Sequence, residues 1–199
     1  MQISINLAKK NLFREEINNC IFVTRAHRPN CYEVKKMTQM KIRKGEKKDM
    51  KAVLELIQEL ATFEKEPHAV EVTVADLEND GFGEDPLFYT FVAEVNGNIV
   101  GIALYYYRYS TWKGKTIHLE DLIVKEDMRG SGLGFELYSK IIEQGKIDKV
   151  RRIEWAVLDW NIAAIEFYQK SGAKILEDWR VAQMDEIGIS NFLENLKAN

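Results

Sequence analysis

A chain of 199 residues with 46% hydrophobic content holds the material for one well-packed domain. No run approaches the ~18 consecutive apolar residues of a membrane span, and the first residues lack the apolar stretch of a secretory signal, so a cytoplasmic protein with no membrane partner is expected. The formal charge of -3 hides an asymmetry, with seven Lys/Arg against three Asp/Glu in residues 1–39 and 21 against 28 in residues 40–199; so acidic a body repels phosphate backbones and argues against a nucleic-acid partner.

Residues 1–39 show no sustained helical or strand period and read as a flexible extension, with Met37 and Met40 just ahead of the first clear strand. Both cysteines, Cys20 and Cys31, lie in that stretch with no zinc-like Cys/His spacing, so no metal is expected. The domain then spans residues 40–199. "MKIR" is a short strand, and Val53, Leu54, Ile57, Leu60 and Ala61 share one face of a helix over 47–64. Between Glu64 and Asp85 eight acidic side chains accompany Lys65 alone, a segment that attracts cations or serves as a solvated face. "TVADLEND" is a second helix, capped by Thr73 and stopped at Gly81. "LFYTFVAEV" and "NIVGIALYYYRYS" flank Asn96-Gly97, a strong hairpin signal, so these strands run antiparallel. "KTIHLEDLIV" is the next strand. A helix from Leu133 to about residue 145, a strand "RRIEWAVL", a helix "NIAAIEFYQKS" begun by Asn161, and a late strand "WRVAQMD" complete a mixed α/β order with one βαβ crossover.

Between the third long strand and the following helix stands "RGSGLG", residues 129–134. A strand, a glycine-rich turn and a helix N-terminus make an anion site, because several backbone N–H groups point outward and the helix dipole favours negative charge. A Walker loop needs Lys-Ser/Thr after its last glycine, where Phe135-Glu136 stands here. A Rossmann loop needs G-x-G-x-x-G, and Gly130, Gly132 and Gly134 fall one residue short of it. A plain turn would not need three glycines, each of which costs entropy.

Arg129, Gly132 and Gly134 instead match Arg/Gln-x-x-Gly-x-Gly/Ala, and Asn161, Ala164, Phe167 and Tyr168 match N-x-x-A-x-x-F/Y-Y on the later helix. On these two motifs the chain resembles the GNAT N-acetyltransferases. Through "ELATFE", "DGFGEDPLFY", "VGIALYYYRYSTWKGK", "LEDLIV" and "RGSGLG" it is similar to the spermidine/spermine (diamine) and thialysine acetyltransferases, over roughly residues 41–185. The resemblance implies a GNAT fold, a central mixed and mostly antiparallel sheet with splayed parallel strands and flanking helices. It implies acetyl-CoA as co-substrate, a homodimer, and transfer of an acetyl group to a small cationic amine.

Such a transfer needs a neutral amine, a place for the carbonyl oxygen's growing charge and a proton for the departing thiolate. By resemblance, a bulge in "LEDLIV" frees main-chain groups of Leu122, Ile123 and Val124 to hold the co-substrate. The pyrophosphate then rests on Arg129, Gly130, Ser131, Gly132, Leu133 and Gly134, with Asn161 and Ala164 alongside. Tyr168 corresponds to the general acid and Glu120, acting through a water, is the candidate general base. Strand alternation sends Glu120 and Asp121 to opposite faces unless the strand is bulged. Resemblance adds Glu64, Glu177 and Trp179 to the amine site. His118, ahead of Glu120, reads as a packed strand residue. Pro67-His68 and Ser110-Thr111-Trp112 depart from the family's acidic positions, which points to another diamine, thialysine or small primary amine over spermidine. The alternatives are a GNAT enzyme for protein N-termini, lysines or aminoglycosides, and a coenzyme A-binding module without turnover.

Overall fold

The computed structural model describes residues 39–198; the extension expected over 1–39, with Cys20 and Cys31, lies outside the described residues apart from its last position. Five strands pair in the order β1 (Met40–Lys44), β2 (Tyr89–Val95), β3 (Asn98–Ser110), β4 (Gly114–Val124) and β5 (Ile153–Glu154). The first three pairings are antiparallel and only β4 with β5 is parallel. The hairpin between β2 and β3 turns on Asn96 at φ 51° and Gly97 at φ 84°, the two positive angles that a two-residue turn needs to match strand twist. Among the described residues no helix is long and apolar enough to cross a membrane.

The helices α1 (Met50–Phe63) and α2 (Val74–Phe82) cover one face of the sheet. There Met50, Val53 and Leu56 pack on Val92, Ile102, Leu104 and Ile123. Opposite, α3 (Leu133–Ile147) and α4 (Ile162–Lys170) place Leu133, Leu137, Ile141 and Tyr168 against Ala103, Tyr105, Ile117 and Leu119. The buried stripe of α1 centres on Met50, Val53 and Leu56, not on Ala61, because the sheet lies under the helix's first turns. Arg43 joins β1 to the start of α1, its guanidinium 2.6 Å from Asp49 and 2.8 Å from Glu94. Thr73 and Asp76 cap α2 reciprocally, the Thr73 hydroxyl accepting from the Asp76 N–H. That helix runs through Gly81 to Phe82, so Gly81 does not stop it. A Cβ at Gly81 would stand 2.7 Å from the Phe88 ring, so the glycine is there for close packing.

Two expected strands differ. Of "RRIEWAVL" only Ile153 and Glu154 pair, because beyond His118 the neighbouring strand β4 turns away. "WRVAQMD" forms no strand, its side chains are exposed, and the chain continues into a helix, α5 (Glu186–Ala198). A hydrophobic alternation signals a strand only where an edge is in register to receive it.

Candidate active site

The register of β4 creates the site. Leu104 pairs with Asp121 and Tyr105 with Leu119, so Glu120 is an extra residue without a partner on β3, a β-bulge. Side-chain parity reverses there. Before the bulge Ile117 and Leu119 belong to the α3–α4 side of the sheet; after it Leu122 and Val124 do, and Ile123 joins the α1 side. Glu120 and Asp121 therefore leave the strand toward the same side, which regular alternation forbids. The Asp121 carboxyl carries the electrostatic signature of that arrangement. Burial first, then the charges of Glu120 and Glu64, push the Asp121 carboxyl up from an ordinary 3.8 to about 6. Burial also raises Glu64, which sits at the C-terminal end of α1.

The same bulge parts β4 from β5, and a cleft of about 690 Å³ opens between them. One wall is β4 from Leu119 to Val124, the other is the chain from Trp155 to Leu158 and the face of α4 that carries Asn161, Ala164 and Tyr168. Lys125 N–H donates to the Val100 carbonyl at 2.9 Å, toward β3, so strand alternation turns the main-chain groups of Leu122 and Val124 to the open edge. Arg129 uses one of these, its Nε donating to the Val124 carbonyl at 3.3 Å, and its guanidinium lies 5.3 Å from the Phe63 ring centre. Arg129 thus ties the glycine loop to the end of β4.

The loop itself is built for backbone exposure. Gly130 and Gly132 have φ of 76° and 87°, left-handed values that other residues adopt at a cost, and a Cβ on either would meet nothing within 4 Å. Gly132 is the N-cap of α3, so the N–H groups of Leu133, Gly134 and Phe135 have no carbonyl within the helix to receive them. Together with the helix dipole these donors suit a phosphate, and the left-handed glycines leave the approach open. The residues present therefore fit the pyrophosphate of a coenzyme A thioester. Ser131 and Leu133 do not line the cleft: the Ser131 hydroxyl donates to the Met128 carbonyl at 2.6 Å, and the Leu133 side chain is core. Asn161 caps α4, its Oδ1 accepting from the Ala164 N–H at 3.2 Å, and this fixes the entry of the helix that carries Tyr168. The Tyr168 ring packs 4.9 Å from Trp155, and burial, then the neighbouring Tyr138, push its phenol up to about 12.

Among the sequence-derived candidates, Glu64, Glu120, Leu122, Ile123, Val124, Arg129, Gly130, Gly132, Gly134, Asn161, Ala164 and Tyr168 line one cleft. Asp121 does not line it, but feels the charges of the lining carboxylates Glu120 and Glu64. Glu177 and Trp179 are not brought there: both are exposed in the segment that forms no strand, Trp179 at 69%. Although three carboxylates approach one another, among the described residues no group of His, Cys, Asp and Glu is placed to hold a metal ion. Sequence reasoning missed Phe63, Phe135, Trp155 and Leu158, which supply the apolar lining. An apolar residue facing a cleft has the same periodicity as one facing a core, so no local signal separates the two.

The family model of the acetyltransferases (GNAT) matches residues 50–173. The thialysine N-epsilon-acetyltransferase of Bos taurus is 38% identical over 150 residues, which cover 71% of this chain and 88% of that protein. The spermidine/spermine N(1)-acetyltransferase-like protein 1 of Homo sapiens is 37% identical over 155 residues, 73% of this chain and 22% of that protein. Among solved structures, a predicted acetyltransferase with acetyl-CoA from Clostridium acetobutylicum shares the fold with a TM-score of 0.60 at 16% identity, over 73% of this chain and 96% of that one.

Proposed function

Because the chain belongs to the acetyltransferase (GNAT) family, we propose that it is an N-acetyltransferase that moves an acetyl group from acetyl-CoA to a primary amine of a small polycationic amine, a diamine, polyamine or thialysine-like compound. The observation that carries this reading is the composition of the cleft, whose lining combines a glycine loop and a helix N-terminus with the carboxylates of Glu64 and Glu120, both felt by Asp121. The loop suits an anion and the carboxylates suit a cation with more than one charge. Glu120 takes the proton of the ammonium through a water, the free amine attacks the thioester carbonyl, and the open main-chain edge at Leu122 and Val124 receives the oxygen's charge. The C–N bond forms, the C–S bond breaks while the Tyr168 hydroxyl donates a hydrogen bond to the departing sulfur, and the proton that the new amide nitrogen sheds ends on that sulfur, so Tyr168 leaves the step unchanged. Glu177 and Trp179 would join the amine site only if the segment that carries them closes over the cleft.

A cytoplasmic location and a homodimer belong to the same reading. Val181, Met184, Ile187, Phe192 and Leu193 are all more than half exposed, an apolar display that a second copy of the chain would cover. Sedimentation at micromolar concentration should give twice the monomer mass. The test of the activity itself is acetyl-CoA consumption with putrescine, spermidine, spermine, thialysine and lysine peptides. Turnover confined to the peptides would overturn the small-amine reading.

Two further outcomes are expected. Exposed charges act over a Debye length of roughly 8 Å at physiological ionic strength, so kcat/KM for a diamine should fall with salt more steeply than for a monoamine of equal length. Glu64→Gln should raise the diamine KM more than it lowers kcat, since a distant ammonium pairs almost equally in ground and transition states. Equal salt slopes for both amines would leave the acidic segment a solvated face.

The second concerns Asp121. Between 3.8 and about 6 the folded state binds more protons than the unfolded chain, so stability falls as pH rises through that window and the loss is complete above it. Asp121→Asn should therefore raise Tm at neutral pH and lose that advantage in acid. A cationic substrate favours the ionised carboxylate, so the amine KM should drop as pH rises through about 6, and the drop should vanish in Asp121→Asn.

A further inference from the structure

The side chains that surround Glu120 beside the cleft are used by none of the roles above. His118, two residues before Glu120 on β4, has its Nε2 3.4 Å from the Glu120 carboxylate. Its Nδ1 is 3.1 Å from Nη1 of Arg108, on β3. Arg108 in turn forms an ion pair with Glu154 of β5 at 2.9 Å, and Nε of Arg152 lies 2.9 Å from the other oxygen of Glu154 without the alignment of a hydrogen bond. The imidazole lies 5.1 Å from the ring of Tyr106. Tyr106 also faces Glu120, and burial followed by that carboxylate raises its phenol.

This geometry selects a tautomer. A guanidinium only donates, so Nδ1 of His118 must accept from Arg108, and the proton of the neutral ring stands on Nε2, directed at Glu120. Burial first, and the Arg108 charge against those of Glu120 and Glu154, hold the His118 titration below its ordinary value. The ring is therefore neutral at neutral pH. A protonated ring would set an N–H against the Arg108 N–H, so the chain Glu154, Arg108, His118, Glu120 is consistent only with the neutral form. The bulge explains why Glu120 needs such support. As the extra residue it lacks a partner on β3, and its side chain is about half exposed.

We propose that His118 is a positioning residue for Glu120: as the Nε2–H tautomer enforced by Arg108, it holds the carboxylate toward the cleft in the orientation that takes the proton of the amine. At 3.4 Å the contact is long for a hydrogen bond, and contacts of this kind commonly tighten when substrate is bound. The role rests on the assignment of Glu120 as base, and the two are separated by testing each alone and together.

His118→Phe keeps a ring against Tyr106 and removes both nitrogens. It should lower kcat about tenfold, the lower end of what outer partners of a reacting group contribute, with little change in acetyl-CoA affinity. The acid limb of kcat/KM should move to higher pH, because a carboxylate that loses a donor holds its proton more tightly. His118→Gln, whose amide N–H can reach the same oxygen, should restore most of the rate and the profile. In a Glu120→Gln background, His118→Phe should cost nothing further. A crippled Glu120→Gln beside an unaffected His118→Phe overturns this role alone. So does a His118→Phe loss that persists undiminished in the double variant, or that His118→Gln fails to relieve. Wild-type turnover in Glu120→Gln overturns the assignment of the base, and this role with it.

Discussion

Tyr168→Phe is expected to lower kcat on the order of 10²-fold, within the range for a positioned acid, while Tm and acetyl-CoA affinity stay near wild type. The ring is what the fold uses. It is 4.9 Å from Trp155, 5.3 Å from Phe167 and 5.8 Å from Tyr138, and all three contacts survive the loss of the hydroxyl. The hydroxyl is what the chemistry uses. A phenol raised to about 12 remains protonated across the working range and can always donate. Against a thiolate of ordinary pKa, about 8.5, complete proton transfer is uphill by roughly three and a half pH units, so its first contribution is a hydrogen bond to the growing charge on sulfur. Two consequences can be measured. The basic limb of the pH–rate profile should not be set by Tyr168, and the deficit in the Phe variant should shrink with thioesters whose leaving thiol is more acidic, since these need less help. A Phe variant with wild-type turnover would leave Tyr168 as a core aromatic and remove it from the mechanism.

The second large effect is expected at Gly132. Asp at this position should weaken acetyl-CoA binding by 10²-fold or more. Two causes combine and a control separates them. A side chain in the left-handed conformation at φ 87° carries a backbone penalty of roughly 1 kcal/mol. The negative charge is added where a pyrophosphate is to lie, and two unit charges 4 Å apart near a protein surface repel by about 4 kcal/mol. Gly132→Ala carries only the first cause, so most of the loss should belong to the carboxylate. Nothing stands within 4 Å of the added Cβ, so neither variant is sterically blocked from folding. Calorimetric titration with coenzyme A gives the affinity, and thermal unfolding shows the penalty common to both variants. Equal affinities for the Ala and Asp variants would mean that no anionic group rests on this loop.

What the sequence determined by itself was the local structure. The Asn96-Gly97 turn, the Thr73 and Asn161 caps and the glycine loop opening α3 depend on groups within four residues of one another, and each is where spacing placed it. Two contiguous motifs also supplied the glycine loop and the α4 wall of the cleft, since a helix N-terminus and the loop before it are one piece of chain. The family was legible for the same reason.

The tertiary structure decided the rest. A bulge is a mismatch of register between two strands, so no reading of β4 alone could show that Glu120 is the unpaired residue and that Asp121 turns to its side. Asp121 is raised by burial first, then by Glu120 and by Glu64, more than fifty residues away along the chain, and both the burial and the Glu64 charge exist only in the folded chain. His118 looked like an ordinary strand residue because Arg108, which selects its tautomer, arrives from the neighbouring strand. The apolar alternation of "WRVAQMD" stayed without a strand for the converse reason: a pattern can promise pairing, but only an available edge supplies the hydrogen bonds.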